Sequence, residues 1–304
     1  MAETDTAVLR RFNRSYTQRI GALDESFLGM GLPLGAARLL FEIGHGPTTT
    51  RELRGRLGLD SGYLSRLLRR LEDRGLVEVV PDPADRRRRT VRVTRQGRAA
   101  WRRLDRRSED LAQQLVAPLT ERQRTRLAQA LATADLLVRS ATVSLDVVNP
   151  ALPAARTAVA AYVGELADRF PGGFEPDDPT ADEAAMRPPG GVFLLALSDG
   201  RPVACGGLRT IADGLAEVKR MWVDGAWRGA GLGARLLRAL EDEARRLGCG
   251  LVRLDTNATL TEAIAMYERA GYRSVPRYND NPYAEAWFEK ELRAPAVGQG
   301  SCRT

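Results

Sequence analysis

Between Glu217 and Gly233 the sequence changes its period, and that change limits the folds open to the chain. Val218, Arg220 and Trp222 alternate with Lys219, Met221 and Val223 as in a strand. Beyond the glycines the apolar positions become Leu236, Leu237, Leu240, Ala244 and Leu247, a helical stripe closed by Gly248. A strand, a glycine-rich turn and a helix start follow one another directly. Glycine turns with positive φ and admits close backbone approach, while the helix start aims unpaired N–H groups and a positive dipole end at the same spot. An anion, phosphate above all, suits that turn.

Two ligand patterns compete for it. Gly229-x-Gly231-x-x-Ala234 matches the dinucleotide fingerprint, and Asp255, after the run Leu251–Leu254, stands where a ribose-binding acid is expected. Five residues separate Val223 from Gly229, however, whereas that fingerprint follows its strand at once, and too little chain follows Asp255 for the remaining units of a doubly wound sheet. The rival is Arg228-x-x-Gly231-x-Gly233. A glycine turn before a surface helix, with no ligand, is the plain alternative to both.

A chain of 304 residues has room for two domains. No run of about 18 apolar residues is present and the start lacks the features of a signal peptide, so the expectation is a cytoplasmic protein without a membrane partner. Three scattered cysteines and a single histidine, His45, leave no ligand cluster, and no metal is expected. His45, between two glycines, reads as a turn residue. Charge is divided unevenly: residues 1–145 hold 27 arginines against 17 acids, net +10, and residues 146–304 hold 19 basic and 22 acidic residues, net −3. Such asymmetry points to nucleic acid as the partner of the first half alone.

In that half, Val8, Leu9, Phe12, Tyr16, Ile20 and Leu23 form a helical stripe, and Leu104, Leu111, Leu115, Leu119, Leu127 and Leu131 form another. They pack within the chain or form a dimer interface. Thr49-Thr50-Arg51-Glu52 is a capping box for a helix through Leu57, and Asp60 caps a second with Leu64, Leu67, Leu68 and Leu71 on one face. The opposite face offers Ser61, Tyr63, Ser65, Arg66, Arg69 and Arg70, types that reach base edges and phosphates. Leu76–Val80 and Thr90–Thr94 read as strands of a hairpin whose tip carries Arg86, Arg87, Arg88 and Arg89. That tip suits a minor groove or phosphates, or is a solvated charge run. Here the sequence resembles the MarR family of winged-helix regulators, through Asp85-x-Arg87, then Val93-Thr94 and Gly97. The resemblance implies a homodimer on a pseudo-palindromic operator in duplex DNA, with Ser61–Arg70 in the major groove and Arg86–Arg89 in the minor.

The second half reads as a strand near Val143–Val148, a helix over 154–170, an acidic Pro/Gly-rich loop over 171–190, and a hairpin of Val192–Leu197 and Val203–Thr210. The strand at Glu217, helix 232–247, strand 251–255, helix 260–270 and closing strand 284–292 follow. That order, with the Arg228-x-x-Gly231-x-Gly233 turn, resembles the GNAT superfamily of N-acetyltransferases and implies acetyl-CoA as cosubstrate and an amine as acceptor. By the same resemblance Arg228, Gly229, Ala230, Gly231, Leu232 and Gly233 cradle the pyrophosphate, and Ala230 replaces a residue often basic. The Met221 N–H holds the thioester oxygen, the Val223 backbone holds the pantetheine arm, and Asn257 contacts coenzyme A. Glu217 acts as general base and Tyr267 protonates the departing thiolate. Glu217 facing solvent or pairing with Lys219 or Arg220, and Tyr267 as core, are the structural alternatives. The loop Tyr278–Tyr283 is a candidate acceptor wall.

The expected fold is therefore multidomain. A mainly-α winged helix-turn-helix covers 1–142, an α/β (α+β) GNAT-like acyltransferase domain with a mixed central sheet covers 143–293, and a flexible tail covers 294–304. The expected function is a bifunctional regulator and N-acetyltransferase. The alternative is a repressor whose second domain senses acetyl-CoA or a metabolite without turnover. The acceptor, the operator and the sign of regulation are not encoded in any motif.

Overall fold

The computed structural model describes residues 4–81, 89–170, 172–175 and 183–292. The predicted hairpin tip with Arg86, Arg87 and Arg88, much of the predicted 171–190 loop and the predicted tail lie outside the described residues. Two compact units divide the chain, Met1–Ala128 and Gln129–Thr304.

The first unit contains α1 (Asp5–Arg19), α2 (Leu34–Gly44), β1 (Thr48–Thr49), α3 (Thr50–Leu57), α4 (Ser61–Glu72), β2 (Val77–Pro81), β3 (Arg89–Val93), α5 (Arg95–Val116) and the start of α6 (Glu121–Thr142). The capping box forms: Thr49 Oγ1 accepts from the Glu52 N–H at 3.2 Å, and Glu52 accepts from the Thr49 N–H at 2.8 Å. Gly58 ends α3 at φ 61°, and Asp60 caps α4 through the Tyr63 N–H at 2.8 Å. The α4 leucines are buried with Leu39, Leu40 and Ile43 of α2, Leu53 of α3 and Leu104 of α5, one core that fixes how α3 and α4 meet. β3 runs between β1 and β2, antiparallel to both. Helix α1 buries none of its residues, and Val8, Leu9, Phe12 and Tyr16 are 44–53% exposed.

A seven-stranded sheet forms the second unit, in the order β4-β5-β6-β7-β8-β10-β9. Its strands are β4 (Asp146–Val147), β5 (Gly191–Ser198), β6 (Arg201–Ala212), β7 (Leu215–Val223), β8 (Leu251–Thr256), β9 (Arg273–Ser274) and β10 (Ala286–Glu291). Only β7 and β8 pair in parallel, because α8 (Leu232–Arg246) carries the chain across between them. Leu236, Leu237 and Leu240 of α8 are wholly buried on one face of the sheet, and α7 (Pro153–Arg169) covers the other with Ala155 and Ala158. A Cβ on Gly206 would stand 2.9 Å from Leu240 of α8, and one on Gly207 would stand 2.0 Å from the sulfur of Met186, which precedes β5, so two adjacent glycines admit close packing on both faces of β6. Helix α9 (Thr261–Arg269) precedes β9.

Packing divides the chain inside α6, whereas the sequence places a boundary at its end. The last turn of α6 belongs to the second unit because Arg235 on α8 donates to the carbonyls of Ser140 (2.7 Å) and Val143, and Arg139 lies 4.4 Å from the Trp227 ring centroid. These donors take up carbonyls that a helix end leaves without partners.

The start of α5 offers a test of the first unit. Thr94 donates to the Gly75 carbonyl at 2.6 Å and accepts from the Gly97 N–H at 2.9 Å. A Cβ on Gly97 would fall 1.7 Å from the Leu76 carbonyl oxygen, a backbone atom that cannot swing away. Gly97→Ala is expected to cost on the order of 3 kcal/mol or more, as over-packing against backbone does. Differential scanning calorimetry should show the loss in the transition of the first unit while that of the second stays in place.

Candidate functional site

The site is built where two strands part. β7 and β8 pair from Leu215↔Leu251 to Val218↔Leu254 and no further. Beyond that point β7 stays with β6, out to Ala204↔Val223, and β8 stays with β10, out to Ala286↔Thr256. The backbone of residues 219–223 thereby faces a gap. The even alternation expected along β7 also fails. Arg220 has φ 55° and the β6–β7 register shifts between Cys205 and Gly207, so one extra residue is accommodated in β7. After the bulge, Met221 and Val223 pack with Val218 on the α8 side while Trp222 packs on the α7 side. A non-glycine residue at positive φ costs of order 1–3 kcal/mol and persists where surrounding packing imposes it.

Two cavities meet at the parting. One, of about 520 Å³, runs along Met221, Val223, Trp227, Arg228, Gly229 and the start of α8. The other, of about 410 Å³, lies toward Lys219, Asp255, Asn281 and Tyr283. Met221 and Tyr267 line both. Tyr267, on α9, is 7% exposed and its hydroxyl points at the Met221 sulfur, 4.0 Å away. Burial pushes its phenol well above the ordinary value of about 10, with the Tyr162 and Asp255 charges adding to the effect. The residue is both core and cavity wall.

Gly229 (φ 79°) and Gly231 (φ 81°) take the left-handed conformation, and a Cβ on either would enter open space. Gly231 caps α8 without a side-chain acceptor, so the N–H groups of Leu232, Gly233 and Ala234 open the helix toward the cavity. Leu232 contributes its backbone alone, its side chain being buried in the core. Ala230 is half-buried and does not line this cavity. Arg228 departs from expectation. Its guanidinium pairs with Glu165 (2.5 and 2.6 Å) and donates to the Val223 carbonyl (3.0 Å), so an anion at the turn meets backbone N–H groups first, and the Val223 carbonyl already has a donor. Burial alone would raise the Glu165 carboxyl; the Arg228 contact, with Trp222 and Arg169, holds it below the usual range. Asn257 also departs. Its amide donates to the Tyr283 carbonyl at 2.9 Å and its oxygen accepts from Thr259, which braces the 278–285 loop, and it lines the smaller cavity away from the glycine turn.

Glu217 does not face solvent. It is 1% exposed and its oxygens accept from Arg209 (2.7 and 2.9 Å), Tyr278 (3.0 Å) and Asn279 (3.1 Å), with Lys219 at 3.3 Å. It therefore lies beneath the smaller cavity without lining it. Lys219 reaches on to Asp255 at 2.5 Å, and Asn281 holds the other Asp255 oxygen at 2.5 Å. Arg209, Glu217, Lys219 and Asp255 form a chain of alternating charge across three strands. No motif marks it. A compositional signal exists: the sequence has 44 arginines and only two lysines, Lys219 and Lys290. Both sit on buried carboxylates, Lys219 on Asp255 at 2.5 Å and Lys290 on Glu241 at 2.8 Å. Facing this chain is an aromatic wall of Phe170, Phe174 and Tyr283, with ring centroids 4.7 Å apart for Phe174 and Tyr283.

In the first unit the structure brings Ser61, Tyr63, Ser65, Arg66, Arg69 and Arg70 to the exposed side of α4, opposite its buried leucines. Arg66 lies over the Tyr63 ring, and Ser65 bonds back to the Ser61 carbonyl at 2.8 Å. Arg89, paired with Pro81 at the last described rung before the hairpin tip, is exposed. No cluster of metal-ligating side chains occurs among the described residues, and no described helix is long and apolar enough to cross a membrane.

Known proteins match both units. The Acetyltransferase (GNAT) family matches residues 160–272, and the MarR family matches residues 30–88. The IAA acetyltransferase of Azospirillum brasilense is 36% identical over 118 residues, 38% of this chain and 76% of that protein. The N-acetyltransferase YjgM of Escherichia coli (strain K12) is 31% identical over 132 residues, 42% of this chain and 77% of that protein. A crystal structure of the reduced form of MarR from E. coli is 26% identical, covers 44% of this chain and 98% of that one, and superposes with a TM-score of 0.38.

Three of the seven tyrosines, Tyr267, Tyr272 and Tyr278, have phenols raised chiefly by burial. Their folded values exceed the unfolded value of about 10, so the stability linked to them is intact below pH 10 and is lost as the pH rises beyond it. Absorbance at 295 nm on alkaline titration is expected to show these three ionising only together with unfolding; ionisation within a native near-UV spectrum would contradict their burial.

Proposed function

From a chain that belongs to the GNAT acetyltransferase family through its second unit and carries a MarR-family domain in its first, we propose a DNA-binding regulator that also transfers acetyl from acetyl-CoA to an amine. The observation that carries the transferase reading is that two cavities meet at Met221 and Tyr267, where β7 leaves β8. The pyrophosphate of acetyl-CoA takes the N–H groups of the glycine turn, and the acceptor occupies the smaller cavity. The amine nitrogen attacks the thioester carbonyl carbon. As the C–N bond forms, the Met221 N–H receives the charge on oxygen, and as the C–S bond breaks, the sulfur takes the Tyr267 proton. The phenol, raised by burial, holds its proton until charge develops on sulfur. The proton lost by nitrogen is released to solvent, from which the Tyr267 phenolate regains its own, so the cycle closes. Glu217, with its oxygens engaged, acts as a positioning residue for Arg209, Lys219, Tyr278 and Asn279, in place of direct contact with the amine.

In the first unit we place duplex DNA against Arg66, Arg69, Arg70 and the hairpin that starts at Arg89, with Ser61, Tyr63 and Ser65 toward base edges. The exposed apolar stripe of α1, with Leu115 and Leu127 each at 36% exposure, supports a homodimer on a pseudo-palindromic operator. One observation favours sensing as a second reading. Arg235 and Trp227 flank the glycine turn and hold the last turn of α6, so a ligand that shifts the turn also shifts residues 139–143.

Coenzyme A at a hundred times its Kd is expected to add about 2.7 kcal/mol to the stability of the second unit. Gly231→Val should abolish that protection in thermal melts, because it strains a φ of 81° and fills the space the anion needs. Protection by NADH in its place would restore the dinucleotide reading. Tyr267→Phe is expected to lower kcat by about 10²–10⁴-fold with acetyl-CoA affinity retained, measured by thiol release. Wild-type kcat would leave Tyr267 as core.

DNA affinity should fall with salt at about 0.9 logarithmic units per phosphate neutralised. Replacing Arg69 and Arg70 by alanine should flatten that slope in fluorescence anisotropy. An unchanged slope would remove α4 from the interface. Acetyl-CoA without an acceptor, if it alters operator affinity of the intact protein, supports the sensing reading.

A further inference from the structure

Building on the transferase reading above, we propose that Glu165 sets the affinity for the acyl donor: its carboxylate holds Arg228 in competition with the donor's pyrophosphate, and Arg228 exchanges one anion for the other when coenzyme A binds. Both side chains line the larger cavity, beside Gly231, Leu232 and Gly233, whose backbone opens α8. One terminal nitrogen of Arg228 lies 2.5 and 2.6 Å from the two Glu165 oxygens, so an anion arriving at the turn meets a guanidinium whose charge is already offset. A carboxylate fixed in the same cavity also repels that anion. The pair therefore lowers donor affinity for as long as it stands.

The remaining contacts of the two side chains let the pair open. Arg228 also donates from Nε to the Val223 carbonyl at 3.0 Å, so its head is anchored beside the glycine turn without Glu165. Glu165 accepts from the Trp222 indole at 3.0 Å and from Arg169 at 3.3 Å, so losing Arg228 does not leave it a lone charge. Arg169 is held in turn by Glu262 at 2.7 Å. The Arg228 and Glu165 side chains are 37% and 27% exposed, and an ion pair that reaches solvent adds little net stability to resist displacement. Pyrophosphate offers Arg228 a bidentate partner of higher charge, which the N–H groups of α8 hold at the same time. Glu165 stays ionised and turns onto Trp222 and Arg169, so no proton moves. Because Glu165 acts through Arg228, it is a positioning residue whose effect is confined to the phosphates of the donor, and the pantetheine arm does not feel it.

The test titrates the full-length protein calorimetrically with coenzyme A and with pantetheine, which lacks the phosphates. Glu165→Gln, which keeps an oxygen for the Trp222 indole, is expected to lower the Kd for coenzyme A about tenfold, a coupling of the usual size within one ion-pair network, and to leave the Kd for pantetheine unchanged. In an Arg228→Gln background the same substitution should bring no gain. Should Glu165→Gln melt below the assay temperature, Glu165→Asp, one methylene shorter and still charged, decides by the same criteria with a smaller gain expected. Equal or weaker binding of coenzyme A by the folded variant means that Glu165 aims Arg228, which overturns the exchange and leaves the transferase reading standing. A gain that persists without Arg228, or that extends to pantetheine, also overturns the exchange. Absence of coenzyme A binding by the wild type and the Glu165 variants alike overturns both the exchange and the transferase reading.

Discussion

The second unit depends on a ladder that stops. Four residue pairs join β7 to β8, and at the next step the backbone link is replaced by a side-chain one, Lys219 to Asp255. Continued pairing would have closed the sheet and left no access to the backbone of Met221. Parting without the ion pair would have left two diverging strands with nothing to set their separation. A buried pair of this kind adds little net stability, because desolvating both charges offsets their attraction. Its contribution is geometric. The pair ties the two strands at the rung where they part, and both cavities, the Met221 backbone and the Tyr267 hydroxyl are arranged beyond it.

The same economy explains the carboxylates. In a unit whose sequence is slightly acidic, the buried acids are all engaged: Glu217 by Arg209 and two neutral donors, Asp255 by Lys219 and Asn281, Glu241 by Lys290, Glu289 by Arg253 and Arg273. Removing water from around the reacting centre therefore leaves no lone charge exposed to a low dielectric. What remains directed at the cavities is a set of backbone N–H groups and one phenol.

The first unit answers a different physical demand. Its core is a single leucine-rich cluster between α2, α4 and α5, and the reverse side of α4 is given to arginine and hydroxyl groups. Phosphate contacts need cations that are exposed and weakly committed, and the α4 arginines meet both conditions, in contrast to Arg228 of the glycine turn. Helix α1 shows the reverse imbalance, an apolar stripe with no burial inside its own unit.

Local signals determined much of this. Thr49, Glu52, Gly58 and Asp60 mark their helix ends because capping is settled within a few residues, and the switch from strand to helix across Gly229–Gly233 is visible for the same reason. The matches to the two families were legible from the turn and the hairpin. Tertiary structure alone decided what the side chains near those signals do. Arg228 sits in the expected motif, yet its charge goes to Glu165, 63 positions away. Asn257 braces Tyr283 on another segment, and Glu217 is enclosed by Tyr278 and Asn279 from the end of the chain. The bulge at Arg220 comes from a register shift against β6, which period-2 reading along β7 cannot detect. Periodicity and capping are properties of neighbours in sequence. The commitment of a charge is set by whichever opposite charge the fold brings within about 3 Å, and that partner is chosen by long-range packing.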